Sequence, residues 1–145
     1  MNHACPTLHG ALEGSYRFYH DSFGTNAHTL ELSWLQQIGK HFVLMPELRW
    51  YEQSAAKFYY ADLDQTSIVP PFGPPTAQAP FYSSDYRLSA LRTFTYGLKG
   101  IWTISDRAQL NLAVERYDMR GKDGVSSHSA YPQAAIVTAG LKLSW

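Results

Sequence analysis

The stretch Gln133-Ala134-Ala135-Ile136-Val137-Thr138-Ala139-Gly140-Leu141-Lys142-Leu143-Ser144-Trp145 decides the fold. Counted back from Trp145, the apolar residues Leu143, Leu141, Ala139, Val137 and Ala135 alternate with Ser144, Lys142, Gly140 and Thr138. A period of two held this long describes one extended strand with an apolar face and a polar face. Strands of ordinary soluble sheets run to about five or six residues. This one is built for a longer span.

The bulk composition narrows the class. Lys plus Arg and Asp plus Glu are 12 each in 145 residues, so no charge excess points to nucleic acid or to an acidic partner. Hydrophobic residues make up 45%, yet no run approaches the ~18 apolar residues of a spanning helix. Aromatics stand at 14%, which favours strands and interfacial girdles. The lone cysteine, Cys5, excludes an internal disulfide framework. Residues 1–10 have neither a basic start nor an apolar centre, so they are no signal peptide and are expected to be a disordered start. A membrane protein still needs export, so the chain is expected to be the C-terminal part of a longer protein.

Working outward from the terminal strand, five further alternating segments cover residues 11–20, 27–37, 42–53, 86–104 and 108–117. The connections 38–41 and 105–107 are tight, whereas 20–26, 54–85 and 118–133 are long. Short turns on one rim and long loops on the other are the outer-membrane pattern, with the short ones periplasmic. Six strands return the terminal strand to the tight-turn rim, so the parity is consistent. The aromatics agree: Trp34, Phe42, Trp102 and Trp145 fall towards that rim, and Phe18 and Trp50 towards the other. The charges agree as well. Glu13, Arg17, Glu31, Glu47, Arg49, Arg87, Lys99, Glu115 and Lys142 all take the polar phase and are expected to face the lumen. Arg92 and Arg116 break the apolar phase, and both are expected beyond or at the edge of the band, because a charge at mid-bilayer costs about 2–4 kcal/mol. Pro46 forfeits a ladder hydrogen bond in mid-strand and predicts a bulge or kink. The loop 54–85 holds Pro70, Pro71, Pro74, Pro75 and Pro80, a density that excludes regular structure. The expected fold is all-β: an antiparallel up-and-down transmembrane β-barrel, incomplete because about six strands fall short of the usual minimum of ~8. Residues 11–145 form its single domain.

Several phrases resemble an uncharacterised family of proteobacterial outer-membrane barrels, known only as a domain of unknown function. They are Ser15-Tyr16-Arg17-Phe18-Tyr19, His28-Thr29-Leu30-Glu31-Leu32, Pro46-Glu47-Leu48-Arg49-Trp50-Tyr51, Gln53-Ser54-Ala55-Ala56 with Phe58-Tyr59, and Ser83-Ser84-Asp85-Tyr86-Arg87-Leu88-Ser89-Ala90. The resemblance implies a longer protein with a signal peptide, placed in the outer membrane of a Gram-negative bacterium, and supplies no activity. The terminal strand resembles the insertion signal of such barrels, which Val137, Gly140, Leu141, Leu143 and Trp145 would carry to the insertion machinery. Outer-membrane lipid and lipopolysaccharide are the expected surroundings, with missing strands or self-association closing the barrel.

Candidate chemistry is thin. The polar-phase charges suit a selective path for small polar solutes, or they satisfy one another and plug a narrow barrel. His20 with Asp21, His28 and His128, and His3 and Cys5 with His9, have no tight metal-ligand spacing. Ser83, Ser84 and Asp85 beside loop histidines suggest a barrel hydrolase only weakly, without a nucleophile motif. No catalytic residue, cofactor or metal is assigned. The expected function is an outer-membrane barrel, structural or passively and selectively transporting. The alternative is a soluble β-barrel holding a small apolar ligand, in which the face of Leu30, Leu32 and Trp34 would form the core; a hydrolase is third.

Overall fold

The alternating segments are extended strands in the computed structural model, which describes residues 2–5, 9–61 and 82–144. The strands are β1 (Asn2–Cys5), β2 (Gly10–His20), β3 (Asn26–Ile38), β4 (Phe42–Gln53), β5 (Leu91–Ser105), β6 (Ala108–Gly121) and β7 (Gln133–Leu143). All lie in one antiparallel sheet in the order β1 to β7, each bonded only to its neighbours in the chain. The sheet is open: β1 and β7 are its edges, and no pairing joins them among the described residues. Apart from 3₁₀ turns at Tyr86–Leu88 and His128–Ala130, no helix interrupts it among those residues. None is long and apolar enough to cross a membrane, which says nothing about crossing by strands.

Cross-strand register fixes what shares a face, because directly opposed residues project the same way. One row runs Leu12, Trp34, Pro46, Leu98, Val114, Val137 in sequence order across β2 to β7. Its neighbour on the other face runs Glu13, Ser33, Glu47, Gly97, Glu115, Ile136. The sheet therefore has an apolar face and a polar face along its whole width.

The structure departs from the sequence reading at five places. Asn2–Cys5, expected in a disordered start, pairs with β2 from Asn2↔Glu13 to Cys5↔Gly10. Strand β5 begins at Leu91 and not at Tyr86, because the Asp85 carboxylate accepts the Arg87 amide at 3.0 Å and turns the chain at Tyr86–Leu88. Strand β6 continues past Tyr117 to Gly121. Pro46 causes no bulge: the β3–β4 ladder skips from Ser33↔Glu47 to Gln36↔Leu44 in unchanged register, and β4–β5 runs through Pro46↔Leu98. The register shift lies instead between Thr103 and Ser105, at the tight turn into β6. Trp145 and the proline-rich stretch 68–80 lie outside the described residues.

A single sheet has no second layer, and the burial shows it. The buried hydrophobic residues are Ala27, Ala56, Leu91 and Tyr131, and the buried polar ones Thr25, Thr29, Ser89 and Thr93. All sit at the long-loop rim. Midway down the polar face, Gly97 lies between Glu47 and Glu115 in their row. A Cβ there would meet Glu115 Cγ at 2.7 Å, the Val114 carbonyl oxygen at 3.0 Å and Glu47 Oε1 at 3.3 Å, so both glutamates lean over it. Gly97→Val should therefore destabilise the refolded sheet by about 1–3 kcal/mol, the usual cost of overpacking, read as a lowered denaturant midpoint.

Candidate functional site

The polar face is a trough of about 530 Å³, walled by Glu13, Glu31, Glu47, Glu115 and Arg49 among smaller residues. Alternation puts these side chains there: each lies an even number of residues from its neighbours on the same strand. Glu31 is the best-held of the carboxylates. Ser15 Oγ donates to its Oε2 at 3.0 Å and Arg49 Nε to its Oε1 at 3.1 Å. Half-exposed ion pairs of this kind contribute about 0–1 kcal/mol, so Glu31–Arg49 orients the trough more than it stabilises it.

Of the charges assigned to the polar phase, Glu13, Arg17, Glu31, Glu47, Arg49, Lys99, Glu115 and Lys142 share this face by register. Arg87 does not belong to a strand. It sits in the 3₁₀ turn, bound to Asp85 through Nε and Nη2, and lines a smaller hollow with Tyr51, Gln53 and Tyr117 above the trough. Towards the tight turns the same face mixes Leu35, Val43, Met45 and Ile101 with Lys99, Asn111, Gln109 and Lys142, so its carboxylates are confined to the middle and above.

Loops close over the upper end of this face. Gln53 Nε2 donates to the carbonyls of Arg87 and Ser89, each at 2.9 Å, and the Ala56 amide donates to Leu88 at 2.9 Å. The buried strand residues Ala27, Thr29, Leu91 and Thr93 all lie on the polar face beneath this cap. Tyr131 is its keystone. Its hydroxyl lies 3.2 Å from Ser89 Oγ, its ring stacks edge-on to Tyr86, and it lies over Gly121, where a Cβ would stand 2.1 Å from Oη.

Asp123 ties the cap together, and the sequence reading missed it, although Asp123-Gly124 before two serines is a turn signal. Its Oδ1 accepts the amides of Val125 at 3.1 Å and Ser126 at 3.0 Å. Its Oδ2 accepts the hydroxyls of Ser126 at 2.6 Å and Tyr59 at 2.9 Å. Burial pushes the carboxyl up, but the bonds from Ser126, Val125 and Tyr59 outweigh it and hold it down at about 2.

The apolar face is bare by comparison: none of its side chains is buried among the described residues, and Trp102, Tyr96 and Leu141 are more than half exposed. Phe42 and Trp102 are opposed towards the tight turns, and Trp50 and Phe94 eight residues further along each strand. Trp34 lies between, over Gly10, and Phe18 stacks on His28 at the long-loop end. Above this band come Glu52, Arg92, Arg116, Asp118 and Arg120. Asp118 and Arg120 escape a reading that ends β6 at Tyr117, although the alternation through Arg116, Asp118 and Arg120 is visible in the sequence.

Other candidates do not assemble. His20 bonds Asn26, His28 bonds Tyr16, and Asp21 accepts the amides of Phe23 and Thr25. No metal-holding group of His, Cys, Asp and Glu occurs among the described residues. Ser83 Oγ accepts the Asp85 amide, and no histidine pairs with Ser83 or Ser84 among those residues.

These features define a single-layer antiparallel β protein, apolar on one face, with its polar face under a loop cap. The chain belongs to the family described as protein of unknown function DUF3570, which matches residues 2–144. Neither a curated protein nor a solved structure matches it.

Because the folded Asp123 titrates below the ordinary carboxylate value of about 3.9, its contribution is complete above pH ~4 and is lost as pH falls towards 2. Limited proteolysis of the 122–132 loop should accelerate across that window. Asp123→Asn should give the fast rate already at neutral pH and flatten the dependence.

Proposed function

We propose that this chain forms the wall of an outer-membrane β-barrel, with its apolar face on lipid and its trough lining the lumen. One observation carries the reading: among the described residues, loops cover the upper end of the polar face, whereas no side chain of the apolar face is buried. A soluble ligand-binding barrel would do the reverse, since there the apolar face is the core. The aromatic spacing supports the same reading. Eight residues from Phe42 to Trp50 cover about 26 Å along the strand, and about 20 Å along the membrane normal at a tilt of ~40°, close to a ~25 Å apolar band.

On this reading the role is structural, or the passive and selective passage of small polar solutes. Glu13, Glu47 and Glu115 share a row, and a lumen ringed by carboxylates favours cations over anions. Outer-membrane lipid and lipopolysaccharide surround the wall, and the terminal strand presents Val137, Gly140, Leu141 and Leu143 to the insertion machinery. On this reading closure needs strands beyond the seven described, which another copy of the chain can supply. The location follows: the outer membrane of a Gram-negative bacterium.

The test is refolding into vesicles whose lipids carry bromine at mid-chain. Tryptophan emission should be quenched, the protein should run as a heat-modifiable, protease-resistant band, and Leu98→Arg should lower insertion by about 2–4 kcal/mol. A soluble, cooperatively unfolding monomer with unquenched emission would overturn the reading.

A further inference from the structure

We propose that Arg92, Arg116 and Arg120 bind the phosphate groups of an anionic membrane lipid at the long-loop edge of the apolar face. The inference rests on the membrane reading above and names a partner for the outer surface. The three arginines line one hollow of about 370 Å³ with Trp50, Phe94 and Tyr96. Its upper wall carries the three arginines and one carboxylate, Asp118, and its lower wall is aromatic.

The arrangement is unbalanced within the chain. Arg92 and Arg120 are directly opposed across β5 and β6, a like-charge pair that weakens a sheet unless an anion sits between. The natural counter-charge for Arg92 is Glu52, its opposite residue on β4, but Glu52 is bonded to Lys122. Arg92 itself makes no ion pair or hydrogen bond among the described residues. Arg116 Nη2 donates only to the neutral Gln133 amide oxygen at 3.0 Å, and Arg120 Nε takes Asp118 at 2.7 Å. With Lys122, four cations face two carboxylates, Glu52 and Asp118. His28 in the same row is engaged with Tyr16.

The chemistry selects the partner. Guanidinium forks match phosphate oxygens two at a time, which lysines do not. A free phosphate would use the arginines and leave the aromatic wall bare. A phosphorylated lipid uses both, its headgroup on the arginines and its acyl chains on Trp50, Phe94 and Tyr96. The site also lies where the apolar band ends, the depth at which a headgroup lies.

The test reconstitutes the chain in zwitterionic vesicles doped with diphosphorylated lipid A or its dephosphorylated form, extracts it in mild detergent, and counts retained lipid by native mass spectrometry. The phosphorylated form should be retained in excess. The combined variant Arg92→Gln, Arg116→Gln, Arg120→Gln should lower retention about tenfold or more, as expected for lost charge-assisted bonds. Arg107→Gln, in the turn between β5 and β6, should leave it unchanged. If the triple variant does not insert, Arg92→Gln alone decides, because its side chain supports nothing else within the sheet. Equal retention by variant and wild type, equal retention of both lipids, or displacement by millimolar inorganic phosphate would overturn the proposal. A parallel reconstitution of the same proteins in vesicles with mid-chain brominated lipid separates the two failures. Quenched but unselective protein loses only the lipid site, whereas unquenched protein loses the membrane reading and this site with it.

Discussion

The structure depends on one constraint: a single layer of sheet cannot bury either of its own faces. Backbone groups are satisfied laterally, strand to strand, everywhere but along the open edges of β1 and β7. The side chains of the sheet are not. In a sandwich or a helix-covered sheet the apolar face supplies the core. Here that face is continuous from Leu12 to Val137, and none of its side chains is buried among the described residues. Transfer of that surface out of water, at about 25 cal/mol per Å², is stabilisation that only an external apolar phase or partner can supply. Everything proposed about location follows from that missing layer.

The polar face is organised the opposite way, and magnitudes decide which of its contacts matter. The ion pairs in the open trough and at the rim are half-exposed and contribute little individually. The cap is different. Asp123 accepts from two amides and three hydroxyls at once, and bonds to a charged acceptor are worth about 1.5–3 kcal/mol each when one partner is removed. Tyr131 adds a buried ring whose hydroxyl reaches Ser89. The loop after β4 and the loop after β6 are thereby fixed to one another, and the Lys57 amide, donating to the Phe23 carbonyl at 2.9 Å, joins the loop after β2 to them. The order of this rim comes from a few polar groups near Asp123, not from the many charges below.

The strands were legible because period two is a global signal: each residue votes, and a single exception does not change the phase. Pro46 shows the limit of arguing from one residue. Its missing amide removes ladder contacts with β3, but the intact β4–β5 pairing holds the register, so no bulge is needed. What was not legible is what depends on contacts distant in sequence or on a very short local pattern. The four residues of β1 carry too few alternations to register. Ser83-Ser84-Asp85 reads equally as a strand approach or as a turn, and the choice is made by Asp85 capping Arg87. The end of β6 was lost because charges on an apolar phase look like a loop. They are equally compatible with a strand that has risen beyond its apolar band. Asp123 lay in plain sight as Asp-Gly, but its partner Tyr59 is sixty-four residues away.

That last misreading exposes a relation between register and band. The row beginning at Phe18 continues as His28, Glu52, Arg92 and Arg120, so it leaves the apolar zone at once. The last apolar residue stands two positions inside that row on β3, β4 and β5, at Leu30, Trp50 and Phe94. On β6 it stands six inside, at Val114. The apolar zone therefore retreats along the register by six positions over the four steps from β2 to β6, and on β7 it ends at Ala135, four inside. A sheet whose strands stood upright in a horizontal slab would show no slide. Strands tilted by about 40°, spaced ~4.8 Å and rising ~3.3 Å per residue, require a slide of about 1.2 residues per strand. The same slide explains Arg116, which shares its row with Tyr96 and Leu48 and would otherwise stand level with mid-band residues. On a tilted wall it is carried up to the rim, where its charge costs little. The proposed lipid-facing wall requires such a retreat, whereas a flat apolar patch for a protein partner does not.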